Sequence, residues 1–158
     1  MSDPNISDLA RAYFQKLQDS AAAQSQIAGF MNGSIDAVFR IQGNNDRYIV
    51  CDYKTNKLHF DTDIDPLARY STSSMEEKML EDGYFFQALI YSVALHRYLK
   101  QRIANYDFDT HFGGVAYLFL RGLDGTTDNT GALRGYYRWT PAKSTVVQLD
   151  ELFTEELV

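Results

Sequence analysis

Residues 114–120 form an almost unbroken apolar run, and this run constrains the fold more than any other segment. A run of that length and composition is what a strand buried on both faces looks like. Such a strand needs other strands beside it and cover above and below. In a chain of 158 residues that requirement points to one α/β domain, a mixed central sheet flanked by helices.

The remaining segments supply the parts. Ile35, Ala37, Phe39 and Ile41 alternate with Asp36, Val38 and Arg40, which predicts a strand over 34–41. Gly43, Asn44, Asn45 and Asp46 read as a turn, and 48–54 as the second strand of a hairpin. Phe86, Leu89, Ile90, Val93 and Ala94 recur at helical spacing and predict a long helix over 84–102. Helical spacing also predicts a first helix over 5–18, followed by a polar loop at 19–26, and a last helix over 145–157. A returning strand is predicted over 134–140, after a flexible turn at 124–131 and before Pro141. Residues 55–82 are polar and irregular, with a short helical stretch predicted around 75–80. A loop this long in a compact domain is often functional, so a substrate flap is expected there.

Composition narrows the function classes. Hydrophobic residues make up 45% and charged residues 23%, a globular balance. No apolar run is long enough for a bilayer. The first residues have neither a basic flank nor an apolar core, so a signal peptide is not expected and a cytoplasmic setting is the default. One cysteine, Cys51, excludes an internal disulfide and a cysteine-based zinc site. The net charge of −6 disfavours a free-standing DNA binder, because phosphate contacts need Lys and Arg. Acidic residues that hold divalent cations escape that objection, since the cation reverses the local charge.

The chemistry concentrates at the end of the hairpin. Side chains at i and i+2 leave a strand on one face, so Asp52 and Lys54 are neighbours and Tyr53 points away. A turn at Asn44 and Asn45 permits a register that brings Asp36 close to Asp52. Two carboxylates and a lysine then converge. Hard cations such as Mg²⁺ take oxygen ligands, typically one or two carboxylates plus waters. They polarise a phosphate and lower the pKa of water, while a lysine positions that water or offsets negative charge. Taken alone, an Asp-x-Lys triplet is more often an exposed ion pair. Gln87 and Tyr91, at i and i+4 on one helix face, are equally compatible with a solvated surface.

Larger segments are more specific. Gly33-Ser34-Ile35-Asp36-Ala37-Val38-Phe39-Arg40, then Asp52-Tyr53-Lys54-Thr55-Asn56, then Gln87-x-x-x-Tyr91-x-x-Ala94-Leu95, resemble the RecB-type branch of the PD-(D/E)XK nucleases. Residues 91–99 and 111–122 extend the likeness to the C-terminal nuclease domain of that branch's helicase–nuclease subunits. The resemblance covers most of 29–153, with 1–28 matching poorly, and treats 1–158 as one nuclease domain of a larger subunit. It implies a restriction-endonuclease-like fold and an exonuclease V type activity that hydrolyses DNA in double-strand-break repair and recombination. It also implies Asp36 and Asp52 as metal ligands with the Tyr53 carbonyl as a third, and Lys54 as the catalytic lysine. Gln87 and Tyr91 would form an accessory motif that contacts DNA or buttresses the site. Mg²⁺ is the implied cofactor, with Mn²⁺ as a substitute and Ca²⁺ as a cation that binds without supporting catalysis. The implied partners are DNA, RecC-like and RecD-like subunits, and RecA.

One feature departs from the pattern. The family carries a further metal ligand, a histidine on a helix upstream of the Gly-x-x-Asp strand. Here His59, His96 and His111 all lie downstream. The chain is therefore expected to be a fragment that begins inside the domain and is weak or inactive alone. A second reading, a catalytically impaired nuclease fold that docks RecC-like or RecA-like partners, stays open. No Gly-x-x-x-x-Gly-Lys-[Ser/Thr] loop is present, so no ATP hydrolysis is expected of these residues. Arg40, Lys57, Arg121, Arg134 and Arg138 are candidate phosphate contacts, and Tyr136, Tyr137 and Trp139 candidate stacking surfaces for single-stranded DNA, although hairpin packing explains the aromatics equally well.

Overall fold

A computed structural model describes residues 34–155. The expected helix over 5–18, the loop at 19–26, Gly33 and the end of the last helix beyond 155 lie outside the described residues.

Four strands form one sheet. β1 (Ala37–Ile41) pairs antiparallel with β2 (Arg47–Lys54), β2 pairs parallel with β3 (Phe112–Phe119), and β3 pairs antiparallel with β4 (Tyr136–Trp139). The spatial order is β1-β2-β3-β4. The parallel pair needs a crossover, and the chain between β2 and β3 supplies it. That stretch contains a 3-10 turn (Pro66–Tyr70), α1 (Thr72–Glu81), α2 (Tyr84–Arg102) and a single helical turn (Phe108–His111). After β4 comes α3 (Lys143–Glu155). The mixed sheet with packed helices is the expected α/β architecture, and it agrees with a restriction-endonuclease-like fold.

β3 is buried on both faces along nearly its whole length, as its composition demands. Val115, Tyr117 and Phe119 face α2 and α3, while Ala116 joins Ile49 and Cys51 on the opposite side. The long helix occupies the predicted residues, 84–102. Its buried stripe includes Phe85, Ala88, Leu89, Val93 and Leu99. Arg97 on α2 is ion-paired with Asp150 on α3, which ties the two helices together.

The segment 55–82 is more ordered than its polarity suggests. Ser71 caps α1, its hydroxyl accepting from the Ser74 amide, and Met75 and Met79 are fully buried one turn apart. The burial of each methionine contributes roughly 1.5–3 kcal/mol, enough to override the weak helical signal of a Ser-rich stretch. What remains of the expected flap is 55–65. The first strand is also shorter than predicted: residues 34–36 are irregular and pairing starts at Ala37.

β3 begins with a β-bulge. Tyr48 faces Phe112, yet Val50 faces Val115, so β3 holds one extra residue there. Gly113 and Gly114 make the bulge possible. A Cβ on Gly113 would lie 2.6 Å from the Tyr48 carbonyl oxygen. Gly114 has φ +90° and a Cβ there would lie 2.5 Å from the Trp139 carbonyl oxygen. Gly114→Ala is therefore expected to destabilise the fold by about 2 kcal/mol or more, lowering the melting temperature by roughly 4–8 °C. Thermal denaturation followed by circular dichroism checks this; an unchanged melting temperature would refute it.

Candidate active site

The site lies at the carboxyl end of the parallel pair, where open α/β sheets commonly place their ligands. Ala37 stands opposite Cys51 in the β1–β2 ladder. Asp36 lies just before the first ladder pair, close enough to Asp52 for its charge to act on it. The Asp36 carboxylate accepts the Tyr53 amide hydrogen at 2.9 Å, which fixes the start of β1 against the end of β2. Asp52 and Lys54 lie on the sheet face covered by α2, and Tyr53 turns outward with 41% exposure.

Asp52 is only 4% exposed. A buried carboxylate is costly unless its lone pairs find partners. The Lys54 ammonium is 2.8 Å from Asp52 Oδ2, and the Tyr91 hydroxyl donates to Oδ1 at 3.4 Å. Tyr91 also lies 2.9 Å from the Ser34 carbonyl oxygen, so α2 is pinned to the segment just before Asp36. Burial pushes the Asp52 carboxyl above its ordinary range, outweighing the Lys54 hydrogen bond and charge that pull it down, and the Asp36 charge pushes it further up. The Tyr91 hydroxyl is pushed up to about 12, first by burial and then by the charges of Asp52 and Asp36. It stays protonated and able to donate near neutrality.

Lys54 has a second set of partners. Its ammonium donates to Gln87 Oε1 at 3.1 Å and sits 3.8 Å from the centre of the Tyr84 ring. The Tyr117 hydroxyl is 3.2 Å from the same Gln87 oxygen and 2.9 Å from the Tyr84 carbonyl oxygen. Asn56 donates to the Tyr84 hydroxyl at 3.3 Å. Asp36, Asp52, Lys54, Gln87 and Tyr91 thus converge. Sequence reasoning missed Tyr84 and Tyr117, and gave Asn56 no role beyond its place in the segment from Asp52 to Asn56. Tyr84 had a legible signal, since residues 84, 87 and 91 share a helix face at i, i+3 and i+7. Tyr117 had none, because it is one apolar residue among several in β3.

Other expectations are corrected. Trp139 and Tyr137 are 3% and 9% exposed and pack edge-on against Phe85, so neither is a stacking surface for DNA. Tyr136 packs on the small cluster of Ile49, Cys51 and Ala116. Arg40 pairs with Asp46 at 2.6 Å, Arg134 with Asp65 at 3.4 Å, and Lys57 with Asp61. Arg138 donates to the Gly113 carbonyl oxygen at 2.7 Å. Arg121 alone among these candidates reaches the site's edge, donating to the Thr55 carbonyl oxygen at 3.0 Å. The histidines are engaged elsewhere, His59 with Tyr70, His96 with Tyr106 and His111 with Asp107. Among the described residues no three His, Cys, Asp or Glu side chains come together around one point. No helix among them is long and apolar enough to cross a membrane.

Fold and site together define a restriction-endonuclease-like α/β domain with an Asp, Asp and Lys cluster at the end of its hairpin. Comparison with known proteins then shows what the chain is similar to. The chain is 38% identical over 151 residues to the RecBCD enzyme subunit RecB of Mycolicibacterium smegmatis, covering 94% of this chain and 14% of that protein. It is 39% identical over 142 residues to the RecB subunit of Mycobacterium tuberculosis, covering 89% and 12%. It is 41% identical over 128 residues to the RecB subunit of Escherichia coli, covering 81% and 10%. No family model matches. Over this segment the chain is homologous to RecB subunits, of whose length it spans only about a tenth to a seventh.

The raised Asp52 carboxyl has a consequence for stability. The folded chain holds that proton more tightly than the unfolded one, so the ionised carboxylate costs stability above its folded pKa. The cost vanishes as pH falls below the unfolded aspartate value of about 3.9. Relative to the parent, Asp52→Asn is expected to fare better at neutral pH in divalent-free buffer than in acid, where the parent's Asp52 is neutral as well. Melts of both proteins across this pH range check it; a difference in melting temperature that does not fall with pH would contradict it.

Proposed function

We propose that this domain is a metal-dependent deoxyribonuclease module of a RecB-like helicase–nuclease subunit, cutting DNA by an exonuclease V type activity during double-strand-break repair and recombination. The observation that carries the reading is the closeness of Asp36 to the Asp52–Lys54 pair at the end of β2 in a chain homologous to RecB. Its associates would be DNA and RecC-like and RecD-like subunits, a reading drawn from the relatives' name, RecBCD enzyme subunit RecB.

The donor set fits a hard cation. Two carboxylates lie near one another, Asp36 just before β1 and Asp52 near the end of β2, and burial has left Asp52 short of compensation. Asp36, Asp52 and the Tyr53 carbonyl would hold Mg²⁺, with Mn²⁺ or Ca²⁺ as alternative occupants. When bound, Mg²⁺ supplies Lewis-acid polarisation of a phosphate and a lower pKa for the attacking water. Lys54 supplies a fixed positive charge beside Asp52, suited to orienting a water or offsetting charge on the phosphate. Gln87 restrains Lys54, and Tyr91 restrains Asp52 by donating to its carboxylate. The overall negative charge leaves general DNA affinity to the rest of the subunit and its partners.

One observation favours a second reading, a nuclease fold that serves in docking. No third acidic or histidine side chain joins the pair among the described residues.

Cleavage of linear single-stranded DNA in Mg²⁺ or Mn²⁺, by the full-length protein and by these 158 residues, separates the two. Lys54→Ala and Asp52→Ala are each expected to lower the rate by about 10²-fold or more in the full-length protein. Normal cutting by both variants sinks the assignment. Absence of cutting together with no divalent-dependent rise in melting temperature favours the docking reading.

A further inference from the structure

Lys54 is the group whose placement is hardest to explain from the strand alone. A lysine side chain has a flexible stem and loses substantial rotamer entropy when its ammonium is fixed. Here the side chain is 11% exposed and the ammonium meets three close surfaces, with the Tyr117 ring further off at 5.2 Å. The Asp52 carboxylate and the Gln87 amide oxygen each accept one hydrogen bond. The third surface is the face of Tyr84, 3.8 Å from ring centre to nitrogen. That separation is well inside the range of a cation–π contact, and burial removes the competing water that weakens such contacts at the surface.

Tyr84 is itself held from three sides. Its hydroxyl accepts a hydrogen bond from Asn56, its ring stacks on Tyr117 at 5.8 Å with planes 17° apart, and its carbonyl oxygen lies 2.9 Å from the Tyr117 hydroxyl. That hydroxyl is also 3.2 Å from Gln87 Oε1, the atom that accepts from Lys54. The two tyrosines therefore link both supports of the ammonium other than Asp52.

We propose that Tyr84 is a positioning residue for Lys54: its ring face, braced by Tyr117 and Asn56, holds the lysine ammonium between Asp52 and Gln87 in the orientation that the cutting reaction uses. The inference rests on the nuclease reading above and adds to it a residue that acts through Lys54 without touching DNA. The ring, not the hydroxyl, is the working part. Tyr84→Phe keeps the ring and should retain the rate to within a few fold. Tyr84→Leu keeps apolar bulk without the π face and should lower kcat roughly tenfold, the size expected for a desolvated cation–π contact, with KM for DNA nearly unchanged.

A structural role for Tyr84 would not distinguish rings of equal shape and different electronics. The decisive series therefore places phenylalanine, 4-fluorophenylalanine and 3,4,5-trifluorophenylalanine at position 84 of the full-length protein. The expected result is a stepwise fall in kcat as fluorine drains the ring face, at constant melting temperature. A flat series overturns the proposal.

A second measurement does not depend on cutting. The ε-methylene of Lys54, lying over the Tyr84 ring with Tyr117 further off, should show an upfield ring-current shift in a ¹H–¹³C NMR spectrum, retained in Tyr84→Phe and largely lost in Tyr84→Leu. Absence of that shift in the unaltered protein overturns the contact itself. A normal shift together with unimpaired cutting by Lys54→Ala overturns the nuclease reading and the positioning role with it. A normal shift, with Lys54→Ala inactive and the fluorinated series flat, removes only Tyr84's role.

Discussion

The Asp52 carboxylate is almost completely buried at the end of a central strand, and much of the surrounding structure follows from that placement. A charge so placed must be compensated from close range, because water is excluded. Lys54 compensates it from the same strand face, two residues on, and Tyr91 from the helix above. Each compensating group then needs support of its own. Lys54 draws in Gln87 and Tyr84, and these draw in Tyr117 and Asn56. The network therefore spans β2, β3 and α2. It couples the packing of the domain to the position of a few polar atoms, which is how a small site acquires precision from a large scaffold.

The compensation is incomplete, and the pattern is informative. Two acidic groups lie near one another while one ammonium serves the buried member of the pair. Burial outweighs Lys54 in setting the Asp52 carboxyl. Native proteins tolerate such tension chiefly where function requires it. The same arrangement in an exposed hairpin would be a weak ion pair of little energetic consequence. Asp52 and Lys54 are distinguished by the helix that closes over them, not by their spacing in the chain.

That contrast explains what could be read from the sequence. The hairpin, the doubly buried strand and the long helix were legible because each carries a periodic signal over many residues, and the face shared by Asp52 and Lys54 follows from strand geometry alone. Asp36 was legible once the turn fixed the register. α1 was only partly legible, because two buried methionines in a serine- and glutamate-rich stretch give little pattern. Trp139 and Tyr137 look alike in sequence whether they stack on a ligand or on Phe85, and only the tertiary arrangement decides. Tyr117 belongs to an apolar run in which nothing marks one residue as polar in role. Its hydroxyl matters because β3 presents it beneath α2.

That presentation depends on the bulge at Gly113 and Gly114. Side chains along a strand come in two alternating phases, and the bulge is a single phase jump. Phe112 before it and Val115, Tyr117 and Phe119 after it all face the same core as a result. Substitutions that flattened the bulge at an unchanged count of residues would leave every polar site residue in place. They would nonetheless put Val115 out of phase with Phe112, turn Ala116 and Leu118 toward the helix and carry Tyr117 to the far side of the sheet. The same core face could be kept by a strand one glycine shorter with no bulge at all, since Phe112 and Val115 would then alternate in phase. With Val115 three residues on from Phe112, the kink at the two glycines is what delivers the Tyr117 hydroxyl to Gln87.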